Sequence, residues 1–220
     1  MKLKNISKSY NSKIILDKIN YSLQDNKIYS LFGINGVGKT TLLNIINGNI
    51  EPDHGEIVTS KRMMFIPNNK IPFQYMTGIE FIEMTLKLKR ITYEKKDLDS
   101  MIDQFRLSDQ INSFIIDYSQ GMKYKLLIII AIFDDSQLLL LDEPFNELDL
   151  ITREQIKIIF SKIKKRKTIL FSTHNPEISF MYSDVILFLE SNKLIDNDNT
   201  FETSKHLETY IKQKMQDDIS

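Results

Sequence analysis

The sequence contains no cysteine, so it can form neither a disulfide framework nor a metal site with thiolate ligands. It also lacks a long apolar segment. The longest unbroken apolar run, Leu126–Phe133, is far shorter than the roughly 20 residues that a helix needs to cross a bilayer. Met1 leads directly into a polar, alternating segment without the apolar stretch of a secretory signal. We therefore expect a cytoplasmic chain that does not cross a membrane by itself.

An excess of charge of either sign is missing as well. Lysine plus arginine and aspartate plus glutamate both number 29, which gives a formal net charge of zero. A protein that binds nucleic acid usually shows a basic excess or a basic face, so we expect no nucleic-acid partner. The dense basic run at 162–167 falls where a helix should end, and we interpret it as a solvated helix end favoured by the helix dipole.

Short apolar runs alternate with helical patterns along the 220 residues, as in an α/β fold. Strands are predicted at 3–6, 14–16, 19–23, 28–32, 55–58, 63–66, 138–141, 168–172 and 185–189. Helices are predicted from Lys39, from Ser119 to Phe133, over 152–165 and over 206–215. Residues 1–220 are therefore expected to form one domain. It would have a central sheet containing parallel strands, an N-terminal antiparallel β-subdomain and an inserted α-helical subdomain at about 68–133.

The segment Gly33–Thr40 fits the phosphate-loop pattern G-x-x-x-x-G-K-[ST] and lies between a predicted strand and a predicted helix. Gly33, Gly36 and Gly38 would permit positive φ angles and a close approach of the backbone to phosphate oxygens. The amides would bind the anion at a helix N-terminus. The predicted nucleotide ligands are Asn35, Gly36, Gly38, Lys39, Thr40 and Thr41. Lys39 would reach the β- and γ-phosphates, and the Thr40 hydroxyl would bind Mg²⁺. The alternative is a glycine turn that merely precedes a helix.

Two acids, Asp142 and Glu143, follow the fully apolar run 138–141, at the carboxyl end of a predicted buried strand. Ligands bind at that edge of α/β sheets. Asp142 would hold Mg²⁺ through water, and Glu143 would act as the general base that activates the attacking water. The alternative is a strand that ends in a polar turn before Pro144.

With both motifs in place, the sequence resembles the ABC (ATP-binding cassette) ATPase family over nearly its whole length. The segment Tyr118–Met122 stands where that family has its signature motif, and Ser119 lies 23 residues before Asp142. Gln120 and Met122 depart from the commonest form and resemble a variant found in exporter-type members. The resemblance implies that Ser119 and Gly121 bind the γ-phosphate held by a facing subunit. Alternatively, Ser119 is only a helix N-cap.

The resemblance extends to four further positions. His174 is similar to the family's switch histidine, which contacts the γ-phosphate, and Tyr10 is similar to the aromatic residue that stacks on adenine. Asn68 stands where the family has a glutamine that contacts Mg²⁺ or water, and its shorter side chain implies a longer contact. Asp149 is similar to the aspartate of the loop that communicates across the dimer, although Glu147 replaces that loop's glycine. A structural histidine and a partly buried tyrosine are the alternatives for His174 and Tyr10.

The resemblance implies an ATPase that converts ATP and water to ADP and phosphate, with Lys39, Glu143 and His174 as catalytic residues and Mg²⁺ as cofactor. Its partners would be a second ATPase subunit, identical or different, and an integral-membrane permease at the inner face of the cell membrane. The short length resembles small exporter subunits, including those for peptides or antibiotics. The transported substrate does not follow from the sequence.

Two other functions stay open. The first is a soluble ABC ATPase such as an iron–sulfur cluster assembly subunit, and the second is a nucleotide-gated module that does not hydrolyse ATP. The coiled-coil repair ATPases need a long insertion between the two phosphate-site motifs. Lys39 and Asp142 are 103 positions apart, which leaves no room for it.

Overall fold

The computed structural model describes residues 1–68, 71–146 and 148–217, with side chains as far as residue 213. Nine strands are found in these ranges: β1 (Lys2–Tyr10), β2 (Lys13–Ser22), β3 (Ile28–Phe32), β4 (His54–Val58), β5 (Met63–Ile66), β6 (Leu138–Leu141), β7 (Thr168–Thr173), β8 (Val185–Glu190) and β9 (Lys193–Asn197). The same ranges contain seven α-helices: α1 (Lys39–Ile46), α2 (Gly78–Leu88), α3 (Lys95–Gln104), α4 (Gln120–Phe133), α5 (Leu150–Ile163), α6 (Pro176–Tyr182) and α7 (Ser204–Asp217). A 3-10 turn covers Ile115–Asp117. In the ranges described, no helix is both long and apolar enough to span a bilayer.

The strands form two sheets, as the α/β prediction requires. The first is antiparallel with the order β2-β1-β4, and the second has the order β5-β6-β7-β3-β8-β9. In the second sheet every neighbouring pair from β5 to β8 is parallel, and β9 joins β8 antiparallel. The carboxyl ends of β6, β7 and β3 therefore meet at one edge.

The central strands are apolar throughout because both of their faces are covered. In β6, Leu139 and Leu141 face the cluster that contains the helices inserted between β5 and β6, while Leu138 and Leu140 face α1 and the antiparallel sheet. Strand β7 divides in the same way. An apolar run without alternation thus gives a strand that buries alternate residues in two cores.

Several elements differ from the sequence prediction. The two short strands expected at 14–16 and 19–23 are one strand, β2, which stays paired with β1 through irregular register. The short helix α6 and the edge strand β9 were not predicted. Helix α6 has seven residues and β9 has five, and segments this short give only a weak periodic pattern.

The basic run was predicted to be a solvated helix end. Helix α5 does end there, but the prediction is wrong for Lys167, which is buried. Lys164 binds Asp184 at 2.8 Å. Lys167 is buried and donates to the Asp134 carbonyl oxygen and to Ser136 Oγ. Burial lowers the pKa of Lys167. These contacts tie the end of α5 to the end of α4 and to the start of β8.

Candidate functional site

The predicted site residues follow three neighbouring parallel strands. Gly33 follows β3, Asp142 follows β6 and His174 follows β7. Phe32 lies in register with Thr173, and Leu141 lies in register with Phe171. The Gly33 amide donates to the Thr173 carbonyl at 3.3 Å, which continues the pairing past the strand end. The sheet therefore gathers the phosphate loop, the acidic pair and the histidine at one edge.

The phosphate loop has the backbone that its glycines predict, with one exception. Gly36 and Gly38 have φ angles of 80° and 115°, and a Cβ atom on Gly38 would lie 2.6 Å from Ile15 Cγ2. Gly33 does not have a positive φ, contrary to the prediction. It needs the absence of a side chain because a Cβ atom there would lie 2.8 Å from the Leu189 carbonyl oxygen and from Val37 Cγ1.

Lys39 is buried beneath the loop and points back along it. Its ammonium group donates to the carbonyl oxygens of Gly33 at 2.8 Å and Ile34 at 3.1 Å. Glu143 Oε1 lies 3.3 Å from the same nitrogen. The lysine, the loop backbone and the predicted base thus form one connected group with the cation at its centre.

Thr40 and Asp142 meet directly although they are far apart in sequence. The Thr40 hydroxyl lies 2.9 Å from Asp142 Oδ2 and 3.2 Å from Oδ1. Asp142 is buried, and its own amide donates to the Ile66 carbonyl at 3.0 Å. The two residues predicted to bind Mg²⁺ therefore lie side by side.

Glu143 is held from several sides. Its carboxylate lies between Lys39 and His174, whose Nδ1 is 3.2 Å from Glu143 Oε2. Its backbone has a φ angle of 48°, in the left-handed region that a non-glycine residue rarely adopts. Such conformations cluster at functional sites, where the surrounding structure enforces them.

A cleft of 370 Å³ opens above these groups. The residues that line it are Tyr10, Ile15, Asn35, Gly36, Gly38, Lys39, Thr40, Thr41, Asn68, Asp142 and Glu143. Apart from Ile15, every one was a predicted site residue. Tyr10 is partly exposed at the cleft, as a stacking surface would require. The chain thus brings a phosphate-binding loop, two acids and an aromatic ring to one concave surface.

Ser172 was missed by the sequence analysis as a site residue. It is fully buried in β7, donates from Oγ to Asp142 Oδ1 at 2.6 Å and accepts from the Glu143 amide at 2.8 Å. A signal was available, because Ser172 lies near the carboxyl end of a predicted strand, the edge at which α/β sheets bind ligands.

Two predicted ligands, Ser119 and Gly121, do not line the cleft of their own chain. Ser119 caps α4 by accepting from the Met122 amide at 3.2 Å. Gly121 lies near Ser119, Leu148 and Asp149. Asp149 in turn caps α5 by accepting from the Thr152 amide. Glu147, whose effect on this loop was questioned, lies outside the described residues.

The polar groups of the cleft fit a magnesium ion. Mg²⁺ prefers oxygen ligands and usually binds one or two protein carboxylates or hydroxyls together with phosphate and water oxygens. Thr40 Oγ1 and the Asp142 carboxylate supply such oxygens, and Asn68 lines the same cleft with an amide oxygen. Among the residues that the structure describes, no three His, Cys, Asp or Glu side chains converge on a common point. The remaining ligands would have to come from phosphates and water.

Comparison with known proteins identifies relatives with the same set of elements. A family model described as ABC transporter matches residues 16–146. An uncharacterized ABC transporter ATP-binding protein of Methanocaldococcus jannaschii is 28% identical over 198 residues, which are 89% of this chain and 76% of that protein. ATP-binding cassette sub-family A member 2 of Homo sapiens is 31% identical over 196 residues, or 83% of this chain, and the match spans 8% of that much longer protein.

Solved structures show the same fold. The ATP-binding subunit of an ABC transporter superimposes with a TM-score of 0.83 at 22% identity, over 96% of this chain and 98% of that one. A dimeric ATP-binding cassette in a post-hydrolysis state with ADP and phosphate superimposes with a TM-score of 0.76 at 22% identity, over 91% of this chain and 99% of that one.

Proposed function

This chain belongs to the ABC transporter family, and from that premise we propose that it hydrolyses ATP as the motor subunit of a membrane transporter. The observation that carries the proposal is the convergence of Lys39, Thr40, Asp142 and Glu143 on one cleft. A phosphate-binding loop alone is consistent with binding. A buried acid pair beside it supports hydrolysis as well.

The nucleotide phosphates bind along the loop amides, with Lys39 as the cation that neutralises them. Tyr10 offers its exposed ring to the base. Magnesium would be held by Thr40, by Asp142 through water and by Asn68, and it would neutralise charge on the β- and γ-phosphates. These roles use the positions of the side chains and require no large rearrangement of the sheet.

Hydrolysis needs a water molecule placed in line with the γ-phosphorus atom and relieved of a proton. Glu143 is the group suited to this, because its carboxylate lies at the edge of the cleft between Lys39 and His174. As the water oxygen bonds to phosphorus, the bond to the ADP oxygen breaks, and the proton passes to Glu143. His174 orients the carboxylate and reaches toward the γ-phosphate. The products are ADP and inorganic phosphate.

A complete site needs two subunits. Ser119 and Gly121 lie at the N-terminus of α4, outside the cleft that their own chain forms. A helix N-terminus with free amides is suited to a phosphate. We assign this end of α4 to the γ-phosphate held by a second subunit, in a dimer of identical or related chains.

An exposed apolar patch supports a membrane-embedded partner. Backbone hydrogen bonds join Ile116 to Gln74 and Ile115 to Met76, and Thr77 forms a bridge with Phe114. Four large apolar side chains of these paired segments are exposed: Phe73, Tyr75, Phe114 and Ile116. Contiguous exposed apolar surface is typical of interaction sites. We assign the patch to a cytoplasmic helix of the permease, which would hold the chain at the inner face of the membrane.

The stretch 71–76 does not form the patch by itself, because Ile71 and Met76 pack into the helical core. Phe114 and Ile116 complete the patch from a distant part of the chain. The direction of transport is inferred from the signature motif alone. The signature variant at 119–122 favours an exporter, and the substrate would be selected by the permease.

The test of the ATPase proposal compares wild type with Lys39→Ala and Glu143→Gln. Wild type should release phosphate from ATP in the presence of Mg²⁺. Lys39→Ala should bind ATP at least about tenfold more weakly, because a buried charge-assisted contact is lost. Glu143→Gln should keep ATP affinity and lose at least about 100-fold in turnover, as expected for a general base.

Phosphate release and equilibrium binding of a fluorescent ATP analogue are the two measurements. Normal turnover by Glu143→Gln would remove Glu143 as the base. Absence of Mg²⁺-dependent ATP binding in wild type would remove the whole proposal.

For the transport assignment, the protein is isolated from detergent-solubilised membranes. Recovery with a multi-span protein supports it, and recovery only with iron–sulfur assembly proteins contradicts it.

A further inference from the structure

We propose that Ser172 is a positioning residue that sets the geometry of both acids through one hydroxyl group. The inference rests on the proposed ATPase function and extends it to a residue outside the cleft lining. Ser172 touches neither nucleotide nor the cleft surface. It acts through Asp142 and Glu143.

The hydrogen bonds of Ser172 fix its hydroxyl completely in orientation. Oγ gives its one proton to Asp142 Oδ1 at 2.6 Å and accepts the Glu143 amide proton at 2.8 Å. A short bond to a carboxylate in a buried site is among the stronger hydrogen bonds in proteins. A hydroxyl group has one proton to donate. Because Ser172 donates it to Asp142 and accepts from Glu143, the direction of its O–H bond is set.

The first consequence concerns the Asp142 carboxylate. Thr40 Oγ1 is nearer to Oδ2, at 2.9 Å, while Ser172 holds Oδ1. The carboxylate is therefore held from two elements, α1 and β7, which restricts its rotation. Hydrogen-bond partners that orient a metal-binding carboxylate tune the affinity for the metal.

The second consequence concerns the backbone of Glu143. A φ angle of 48° is unfavourable for glutamate, so the conformation must be enforced by its surroundings. The Glu143 amide has Ser172 Oγ as its acceptor. In this conformation the carboxylate reaches Lys39 and His174. Ser172 thus helps to maintain the turn that aims the predicted base.

The carboxyl end of β7 reaches Glu143 in two ways. Ser172 lies near the end of the strand, and His174 comes directly after it. Ser172 holds the backbone of Glu143, and His174 holds its carboxylate. The end of β7 therefore supplies two contacts to the predicted base, in addition to the contact of Ser172 with Asp142.

A second serine provides a matched control. Ser30 is also fully buried in the central sheet, on the adjacent strand β3, and its hydroxyl lies 3.0 Å from Ser183 Oγ. Among the described residues, its side chain hydrogen-bonds Ser183, and it is not in the lining of the cleft. Replacing either serine with alanine removes the same atom from the same sheet.

The experiment compares Ser172→Ala with Ser30→Ala. For Ser172→Ala we expect kcat to fall by about 10- to 100-fold with a change in KM for ATP of less than about threefold. In the Glu143→Gln background, which prevents turnover, Mg²⁺ is titrated against the binding of a fluorescent ATP analogue. Ser172→Ala should raise the Mg²⁺ concentration for half-maximal binding by about tenfold and leave Mg²⁺-free binding unchanged. Ser30→Ala should change neither quantity.

Three results would overturn the inference. The first is a kcat and a Mg²⁺ dependence in Ser172→Ala equal to those of wild type. The second is an equal loss of kcat in both serine variants. The third is a much larger drop in Tm for Ser172→Ala than for Ser30→Ala, together with loss of Mg²⁺-free ATP binding. The last two would identify a purely structural serine. Failure of the ATPase proposal itself is distinguishable, because wild type would then show no Mg²⁺-dependent hydrolysis.

Discussion

Two buried tyrosines in the helical region differ by one hydrogen bond. Tyr118 and Tyr124 are each 5% exposed. The Tyr118 hydroxyl donates to the Gln110 carbonyl at 2.6 Å, whereas the Tyr124 hydroxyl is buried and has no hydrogen-bond partner among the described residues. Burial raises the pKa of both side chains, most strongly for Tyr124. A buried hydroxyl without a partner costs free energy, since it has lost its hydrogen bond to water.

Replacing each tyrosine with phenylalanine should therefore change the free energy of unfolding differently. Tyr118→Phe should lower the free energy of unfolding by about 1 kcal/mol, because the hydrogen bond to the Gln110 carbonyl is lost and that carbonyl keeps the one from the Ser113 amide. Tyr124→Phe should leave it unchanged or raise it by up to about 1 kcal/mol. Urea denaturation followed by circular dichroism measures both values. A clear destabilisation by Tyr124→Phe would contradict the assignment of an unpaired hydroxyl.

At the scale of single elements, helix α5 begins with a charged N-cap. Asp149 accepts from the Thr152 amide at 2.9 Å and from its hydroxyl at 2.7 Å. The hydrogen bond from the Thr152 amide, followed by that from the Thr152 hydroxyl, lowers the pKa of Asp149 below 3.8. The folded state therefore binds fewer protons than the unfolded state at acid pH. The contribution of the ionised Asp149 carboxylate to the free energy of unfolding is present above pH 3.8. It is lost as the pH falls through the lowered pKa.

Asp149→Asn should keep the cap and remove this pH dependence, because asparagine caps helices as well as aspartate does. Near neutral pH the variant should have close to wild-type stability. As the pH falls from about 5 to 2, through the lowered pKa of Asp149, wild type should lose stability more steeply than the variant. Urea denaturation across this pH range measures the difference. Asp99→Asn, at an exposed site within α3, controls for the loss of a charge. If the free energy of unfolding of wild type and of Asp149→Asn changed in parallel with pH, the prediction would be refuted.

At the scale of the whole molecule, the separation of Ser119 and Gly121 from the cleft makes dimer formation testable in trans. A Cβ atom on Gly121 would make only ordinary contacts, of 3.6 Å or longer. An acid near a helix N-terminus is also favoured by the helix dipole. Gly121→Asp should therefore fold normally, yet place a negative charge against a phosphate held by the second subunit.

In the Glu143→Gln background, ATP should drive the chain into a dimer. Adding Gly121→Asp should weaken this dimer by at least about tenfold, because of like-charge repulsion, while ATP binding to the monomer stays unchanged. Analytical ultracentrifugation with and without ATP measures the first effect, and a fluorescent ATP analogue measures the second. Gly121→Asn, which adds a side chain of the same size without the charge, is the control. An unchanged ATP-dependent dimer would exclude α4 from the interface.

The sequence by itself determined the parts of this protein whose chemistry is local. Strands β3, β5 and β6 have the predicted bounds because a compact apolar run ends at a turn signal in each case. Helix α1 begins at Lys39 as predicted, and Gly48 terminates it with a φ angle of 78°. The phosphate loop was equally readable, since the glycine spacing and the lysine follow from what a backbone needs in order to surround a phosphate.

Only the tertiary structure decided which distant residues meet. Pairing of 74–77 with 114–116 creates the apolar patch. Lys167 is buried and donates to a carbonyl oxygen inside the protein, where a surface charge was expected. The register of the sheet brings Ser172 beside Asp142 and Glu143. No local pattern encodes these contacts, because each depends on the register of a strand or loop against a partner remote in sequence. The positions of the site residues along the chain were therefore predictable, whereas the groups that hold them in place were not.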